Sequence, residues 1–245
     1  MSTWNIVSAF IAGSLHQRRS QPCQDYAAHR LLPSGTLLLA CADGAGSAEF
    51  SADGARLAVD TVLNELEDLL LQETPSAALP LAFEKALAAL SALAQERGLP
   101  LNVFATTLTA VILTASEVTA AQLGDGCVIL QDTQDQFSPL LLPTRGEYAN
   151  ETYFITMPGA LSHLQSASQP GLPQALVLMT DGLLRLALDL STQTPHPPFF
   201  RPLIEFARQA PSRPAPNQDL AAWLDSDKVR SRTEDDKTLV IAVQA

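Results

Sequence analysis

Runs of apolar residues with the length of a β-strand recur along the chain and are separated by polar loops. The clearest run is LLLAC at 37–41, which predicts a buried strand. Residues 107–112 have period two, as in a strand with two unlike faces. Thr107, Thr109 and Val111 alternate with Leu108, Ala110 and Ile112. Further strands are predicted at 4–11, 118–123, 127–131, 137–142, 153–157, 175–179 and 239–243.

Two long segments have the periodicity of a helix instead. From 51 to 72, apolar residues such as Ala55, Val59 and Val62 recur at spacings of three and four, with acidic residues between them. The alanine- and leucine-rich segment 76–97 predicts a second helix, because a glycine and a proline follow it as stop signals. Shorter helices are predicted at 181–190, 202–209 and 219–226, with a surface loop at 191–198.

The order of these elements indicates the fold class. Strands, a pair of long helices, more strands, short helices and a last strand follow one another, which favours an α+β layered domain over a βαβ array. We expect residues 1–245 to form one domain. Strands 118–123 and 127–131 are predicted to continue a meander, with Asp125-Gly126 as a hairpin turn.

Composition excludes several classes of protein. Hydrophobic residues make up 47% of the chain and charged residues 17%, which excludes a disordered chain. The formal net charge of -11 argues against binding to nucleic acid or to an anionic membrane, since both require basic patches. The simplest role of this negative charge is solubility. Some of the excess acidic residues are also compatible with a role as metal ligands.

The cysteines and the first residues indicate the compartment. Cys23, Cys41 and Cys127 are odd in number and form no CxxC pair, so neither a disulfide framework nor a zinc knuckle is expected. The opening MSTWNIVSAFIAGS lacks the basic segment and long apolar stretch of a signal peptide, and no run of about eighteen apolar residues occurs. We therefore expect a cytoplasmic protein with no membrane span.

Four aspartates far apart in the chain stand next to apolar runs: Asp25, Asp43, Asp181 and Asp235. A carboxylate at the end of a buried strand is costly unless a cation neutralises it. Several such ends that converge would form an oxygen-lined site for hard divalent cations. For any single Asp-Gly pair, a simple turn remains the alternative.

Short motifs containing these aspartates follow one another over nearly the whole chain. The motifs are Gln24-Asp25, Asp43-Gly44-Ala45-Gly46, Ala105-Thr106-Thr107, Gly124-Asp125-Gly126, Thr180-Asp181-Gly182 and Asp235-Asp236-Lys237-Thr238. In order and spacing they resemble the metal-dependent serine/threonine protein phosphatases of the PP2C type. The segments PCQD (22–25) and GEYANET (146–152) are similar to a bacterial branch of that family.

The resemblance implies a four-layer α-β-β-α sandwich, in which two antiparallel sheets are flanked by helix pairs. It also implies two Mn²⁺ or Mg²⁺ ions in a cleft at one end of the sandwich. Asp43 would bridge both ions, and the Gly44 carbonyl, Asp181 and Asp235 would complete the protein ligands. Asp25 would lie nearby as a direct or water-mediated ligand.

Two cations a few ångström apart lower the pKa of a shared water and provide a hydroxide for in-line attack on phosphorus. The same cations neutralise the phosphoryl oxygens in the transition state. The resemblance therefore implies hydrolysis of phosphoserine and phosphothreonine by a metal-activated water, without a covalent phospho-enzyme.

One departure from the family pattern concerns the substrate phosphate. Many relatives carry a phosphate-binding arginine five residues before the first aspartate, where this chain has Ser20. Arg18 and Arg19 lie close in sequence and are candidates for that role, with a solvated basic pair at a turn as the alternative.

Two further departures concern proton transfer and a third metal. The histidine that follows Asp-Gly in eukaryotic members is Ala45 here; His16 is a candidate general acid, or alternatively a residue with a structural hydrogen bond. In several bacterial relatives an aspartate before the Thr-Thr strand binds a third metal. The nearest position here is Asn102, a weaker ligand, which weakens the expectation of a third ion.

We expect the partner to be a phosphorylated protein, such as a cognate serine/threonine kinase or its target, and the enzyme to be a monomer. One alternative function is a phosphatase-like module that binds a partner or phosphoprotein with little catalysis. Another, an unrelated Mg²⁺ phosphohydrolase on an α/β sheet, would require a DxD-type nucleophile motif, and no such motif follows a predicted strand.

Overall fold

The computed structural model describes residues 4–143 and 152–245. The strands are β1 (Trp4–Ile11), β2 (Tyr26–Leu31), β3 (Leu37–Ala42), β4 (Leu108–Leu113), β5 (Glu117–Leu123), β6 (Cys127–Gln131), β7 (Phe137–Leu141), β8 (Gln165–Pro170), β9 (Ala175–Met179), β10 (Leu188–Asp189), β11 (Thr194–Pro195) and β12 (Lys237–Gln244). The α-helices are α1 (Ser14–Arg18), α2 (Ser51–Leu69), α3 (Pro75–Arg97), α4 (Leu184–Ala187), α5 (Pro197–Arg208), α6 (Pro216–Leu224) and α7 (Asp227–Arg230).

The long strands form two antiparallel sheets of five strands each. One has the order β1-β12-β9-β6-β7 and the other the order β2-β3-β4-β5-β8, while β10 and β11 pair separately. The apolar runs that predicted strands at 37–41, 127–131 and 175–179 form strands in the interior of these sheets, where both faces are buried, and the run at 4–11 forms the partly exposed edge strand β1.

Helices cover the outer face of each sheet, and the inner faces pack on one another. Helices α2 and α3 share an apolar core with the sheet that contains β3 and β4. Helices α5 and α6 pack on the sheet that contains β9 and β12. A third core, which includes Trp4, Leu39 and Val240, lies between the two sheets. The predicted α+β class and four-layer sandwich are confirmed.

The predicted meander is wrong at one point. Strands β5 and β6 are consecutive in sequence but belong to different sheets, so Asp125-Gly126 is not a hairpin turn. The connection crosses between the sheets at Gly124, whose φ of 117° is a conformation that residues with a side chain rarely adopt. The crossing places Asp125 at the end of the sandwich.

Two predicted elements differ in the structure. Residues 153–157 form no strand; the amide of Ile155 donates to the Thr106 carbonyl, and its side chain covers the end of a core. The helix predicted at 181–190 is divided into a 3-10 turn (Asp181–Leu183), α4 and the short strand β10. Strands β2 and β8 were not predicted because both are partly exposed edge strands without an apolar run.

Within the described ranges, one helix, α3, is long and apolar enough to cross a membrane by those two criteria alone. Its buried residues, such as Leu79, Phe83 and Leu90, pack in the core shared with α2. Packing in this core is sufficient to account for its apolar composition.

Candidate metal centre

A cleft of about 360 Å³ collects aspartates from four separate loops at one end of the sandwich. Asp43 follows β3, Asp181 follows β9, Asp235 precedes β12 and Asp125 lies between β5 and β6. Adjacent antiparallel strands bring alternate ends to the same edge, so residues distant in sequence meet there. Other residues that line the cleft are Leu15, His16, Arg19, Gln24, Gly44, Ala45, Gly46, Thr107, Thr152 and Phe154.

The backbone of Asp43 is held by the two threonines that precede β4. Its amide donates to Thr107 Oγ1 at 2.9 Å, and its carbonyl accepts the Thr107 amide at 2.8 Å and the Thr106 hydroxyl at 2.9 Å. These bonds explain the Ala-Thr-Thr motif, because each threonine satisfies a backbone group of the loop that carries Asp43.

Asp25 lies beneath the cleft and is 3% exposed. Its Oδ2 accepts hydrogen bonds from the hydroxyls of Thr180, at 2.8 Å, and Thr238, at 2.7 Å. Its Oδ1 is buried and has no hydrogen-bond partner among residues 4–143 and 152–245. Burial raises the pKa of Asp25 to about 7, against the opposing effect of the two hydroxyls and with a contribution from the charge of Asp236.

The charge of Asp181 destabilises the ionised form of Asp43, and the charges of Asp125 and Asp235 destabilise the ionised form of Asp181. Burial, followed by the charges of Asp25 and Asp181, raises the pKa of Asp43 well above its ordinary value. Burial, followed by the charges of Asp125 and Asp235, raises the pKa of Asp181 to about 7. These carboxyls change one another's pKa, so without cations their protons are distributed over the group and do not belong to one residue.

Asp235 is exposed at the cleft, and the adjacent Asp236 is 3% exposed and organises the loops below it. Asp236 Oδ1 accepts the Gly13 amide at 2.6 Å and pairs with His16 Nδ1 at 2.8 Å; Oδ2 accepts the Gln24 amide at 2.6 Å. Asp236 therefore orients the His16 ring and joins the loop before α1 to the loop that carries Asp25.

The glycines of two Asp-Gly pairs permit close approach between these loops. A Cβ on Gly182 would lie 1.9 Å from the Asp236 carbonyl oxygen, and a Cβ on Gly44 would lie 2.8 Å from the Gln24 carbonyl oxygen. Neither glycine has a positive φ, so neither forms the Asp-Gly hairpin turn that remained the alternative interpretation, and Asp181-Gly182 begins a 3-10 turn instead. Each glycine lets the aspartate beside it reach the next acidic loop.

Sequence reasoning assigned Asp125 to a turn, whereas the structure places its side chain in the cleft wall. Burial raises its pKa, while a hydrogen bond from the Thr152 hydroxyl opposes that effect. Its position after Gly124 was the available signal, because a glycine before an aspartate also permits a crossing between sheets. Asn102 does not line the cleft; it lies in the 3-10 helix Leu101–Phe104.

The basic residues near the cleft have different surroundings. Arg19 lines the cleft, whereas Arg18 pairs with Glu234 at 2.7 Å on the surface. Ser20 has a φ of 55°, so the chain turns sharply directly after the two arginines. Of the segment GEYANET, only Thr152 is among the described residues.

The donor set fits hard divalent cations. None of the ion pairs in the described ranges involves Asp25, Asp43, Asp125, Asp181 or Asp235. The Oδ1 atoms of Asp25 and Asp181 are buried without partners, and carboxylate oxygens are the ligands that Mg²⁺ and Mn²⁺ prefer. No group of three or more His, Cys, Asp or Glu in 4–143 and 152–245 forms a ready-made cage, so cations would have to draw the carboxylates together. The ligand roles stay predictions.

Comparison with known proteins gives three kinds of similarity. A family model described as Protein phosphatase 2C matches residues 12–225. Serine/threonine-protein phosphatase 3 of Escherichia coli (strain K12) is 31% identical over 255 residues, which covers 99% of this chain and 99% of that protein.

Solved structures share the fold at lower identity. A bacterial serine phosphatase superposes with a TM-score of 0.70 at 14% identity, covering 99% of this chain and 98% of that one. PppA, a regulatory component of T6SS in Pseudomonas aeruginosa, gives a TM-score of 0.61 at 15% identity, covering 100% and 99% of the two chains.

Proposed function

We propose, on the premise that this chain belongs to the protein phosphatase 2C family, that it hydrolyses phosphoserine and phosphothreonine in proteins with two bound Mn²⁺ or Mg²⁺ ions. The observation that carries the proposal is the convergence of buried, mutually repelling carboxyl groups on one cleft. The curated relative named as a serine/threonine phosphatase, matched over nearly its whole length, supports the substrate class.

The residues that would hold the cations are Asp43, Asp181, Asp235 and the Gly44 carbonyl, with Asp25 below them. When bound, divalent cations supply Lewis acidity that acidifies a water and neutralises phosphoryl oxygens. Asp125 also lines the cleft, and its carboxylate is a further candidate ligand.

The chain's own residues prepare this site before substrate arrives. Threonine hydroxyls donate to the Asp25 carboxylate and to the Asp43 carbonyl and hold the acidic loops in place, so little reorganisation accompanies the reaction. Arg19, in the cleft wall, is the cation that we assign to the substrate phosphate.

His16 is our candidate for proton transfer. Nδ1 is bonded to the Asp236 carboxylate, so Nε2 is the ring nitrogen left for the substrate; when both nitrogens carry a proton, the ring would give its Nε2 proton to the departing serine or threonine oxygen. Because the ring is buried and fixed, its Nε2 position depends on Asp236.

We place this activity in the cytoplasm of the cell and expect a monomer. The three cysteines are all free thiols, as in a reducing compartment. The substrate would be a phosphorylated kinase or a target of such a kinase.

The test is hydrolysis of p-nitrophenyl phosphate and of phosphoserine and phosphothreonine peptides with Mn²⁺, Mg²⁺ or excess EDTA. Asp43→Asn should lower kcat by at least about a hundredfold, because a neutral amide replaces the negatively charged carboxylate that we expect to bind the cations. Asp68→Asn, the same chemical change at an exposed position on α2, is the matched control and should retain full activity.

Activity that survives both EDTA and Asp43→Asn would disprove the metal mechanism. Tight binding of Mn²⁺, measured by calorimetry, without turnover of any phosphopeptide would favour the alternative of a partner-binding module.

A further inference from the structure

A second concave surface, which we call the basic groove, lies apart from the metal cleft. It has a volume of about 680 Å³ and is formed by residues of α4, β10, α5, α6 and α7 and of the segment after α7. Its rim carries the side chains of Arg185, Lys228 and Arg232, and it shares no lining residue with the metal cleft.

The three rim cations are exposed, and none of them takes part in an ion pair within 4–143 and 152–245. The one carboxylate that lines the groove belongs to Asp189. Its Oδ1 accepts the Ser191 amide at 2.9 Å and the Ser191 hydroxyl at 2.6 Å, so it is already occupied by its own turn. Asp189 keeps its charge in this turn, but three cations outnumber one carboxylate among the described residues that line the groove, so a chain of net charge -11 presents a net positive patch here.

The floor of the groove is apolar. Leu188 and Phe199 are buried there, and Trp223 is partly exposed at its edge. Pro202 and Trp223 also line a smaller adjoining pocket of about 190 Å³ between α5 and α6, whose wall is largely apolar. An aromatic or aliphatic side chain would fit this pocket while charged neighbours reached the rim.

We propose that the basic groove binds an acidic peptide segment of the phosphoprotein substrate, with an apolar side chain anchored beside Trp223. Charge complementarity selects the acidic residues, and the adjoining pocket selects the anchor. The inference rests on the proposed function, because it names a docking site that would raise the local concentration of the phosphorylated residue at the metal cleft.

A peptide fits this surface better than a membrane does. The cations surround a concavity with an apolar floor, whereas a flat anionic bilayer would need them on a protruding face. The negative charge of the rest of the chain also opposes approach to an anionic bilayer.

The experiment measures fluorescence anisotropy of a labelled peptide in which glutamates flank a Phe-Leu pair. One control peptide carries lysines in place of the glutamates, and the other carries alanines in place of Phe-Leu. The double variant Arg185→Glu/Lys228→Glu is compared with Arg30→Glu/Lys85→Glu. Both doubles change the net charge equally, and the second lies outside the groove.

The acidic peptide should bind the wild type, and the groove double should weaken it by about tenfold or more, because two attractive rim contacts become repulsive. The control double should change the affinity by less than about twofold at 0.15 M salt, where distant charges are screened. Tryptophan fluorescence should change when the peptide binds, because Trp223 lines the groove. The change can be assigned to Trp223, because the other tryptophan, Trp4, is buried between the sheets.

Equal loss of binding in both doubles, equal binding of the lysine or alanine peptide, or binding to phosphatidylserine vesicles without peptide binding would overturn the proposal. Kinetics separate this failure from failure of the proposed function. The groove double should raise KM for a phosphopeptide fused to the acidic segment while hydrolysis of p-nitrophenyl phosphate is unchanged. If the groove double hydrolyses p-nitrophenyl phosphate normally and its KM for the fused phosphopeptide is unchanged, the docking site is disproved and the proposed function is not.

Discussion

Replacing Asp181 by asparagine should make the metal-free protein more stable while it removes function. The Asp181 carboxyl has a raised pKa of about 7, against an ordinary value of 3.8, because of burial and the neighbouring charges of Asp125 and Asp235. A difference of about three pKa units between the folded and unfolded chain corresponds to about 4 kcal/mol of lost stability when the group is ionised.

The sign follows from which state binds the proton more tightly. Since the folded state has the higher pKa, the contribution of Asp181 is most favourable below about pH 4 and is lost as the pH rises to about 7. Because Asp125 and Asp235 share the repulsion with Asp181, we expect Asp181→Asn to recover about 1–3 kcal/mol at pH 8 and less than about 1 kcal/mol at pH 4.5.

The assay is guanidinium unfolding in excess EDTA at both pH values, followed by tryptophan fluorescence. Asp68→Asn, at an exposed position on α2, is the matched control and should change the free energy of unfolding by less than about 0.5 kcal/mol. With Mn²⁺ at a hundred times its dissociation constant, the wild type should gain about 2.7 kcal/mol and the Asp181 variant much less.

The reasoning is refuted if Asp181→Asn in EDTA at pH 8 is no more stable than the wild type. It is also refuted if the Asp68 variant gains as much, because the gain would then come from net charge and not from the cleft.

Three further substitutions test the supporting contacts. Gly182→Ala should cost about 2–4 kcal/mol by chemical unfolding, since its Cβ would lie 1.9 Å from the Asp236 carbonyl oxygen, whereas the Cβ of Gly46→Ala would meet Gln24 Oε1 at an ordinary contact distance of 3.9 Å and the substitution should cost less than about 1 kcal/mol. Asp236→Ala should cost about 3 kcal/mol or more in a thermal melt, because three buried partners lose their acceptor; a loss below about 1 kcal/mol would contradict this role. Thr238→Val should cost about 1–2 kcal/mol at pH 8 and less at pH 5 in EDTA, since the lost hydroxyl favours the ionised form of Asp25; an equal cost at both pH values would argue against it.

Local patterns were sufficient for much of the fold. Strands such as β3 and β9 are buried on both faces and therefore appear as apolar runs, and helix α2 shows its buried stripe as spacings of three and four. Edge strands β2 and β8 left no such run, because solvent on one side permits polar residues. The predicted strand at 153–157 failed for the opposite reason, since Ile155 is buried in a core although the segment pairs with neither sheet.

By itself, the sequence determined the layered α+β class, the order of the acidic motifs and the resemblance that named Asp25, Asp43, Asp181 and Asp235. Only the tertiary structure decided that the β5–β6 connection crosses between sheets and brings Asp125 to the cleft, and that Arg19 lies in its wall while Arg18 pairs with Glu234. The physical reason is that a carboxyl's chemistry depends on its distance from other charges and from water. Pairing between sequence-distant strands sets those distances, and no local pattern of residues encodes them.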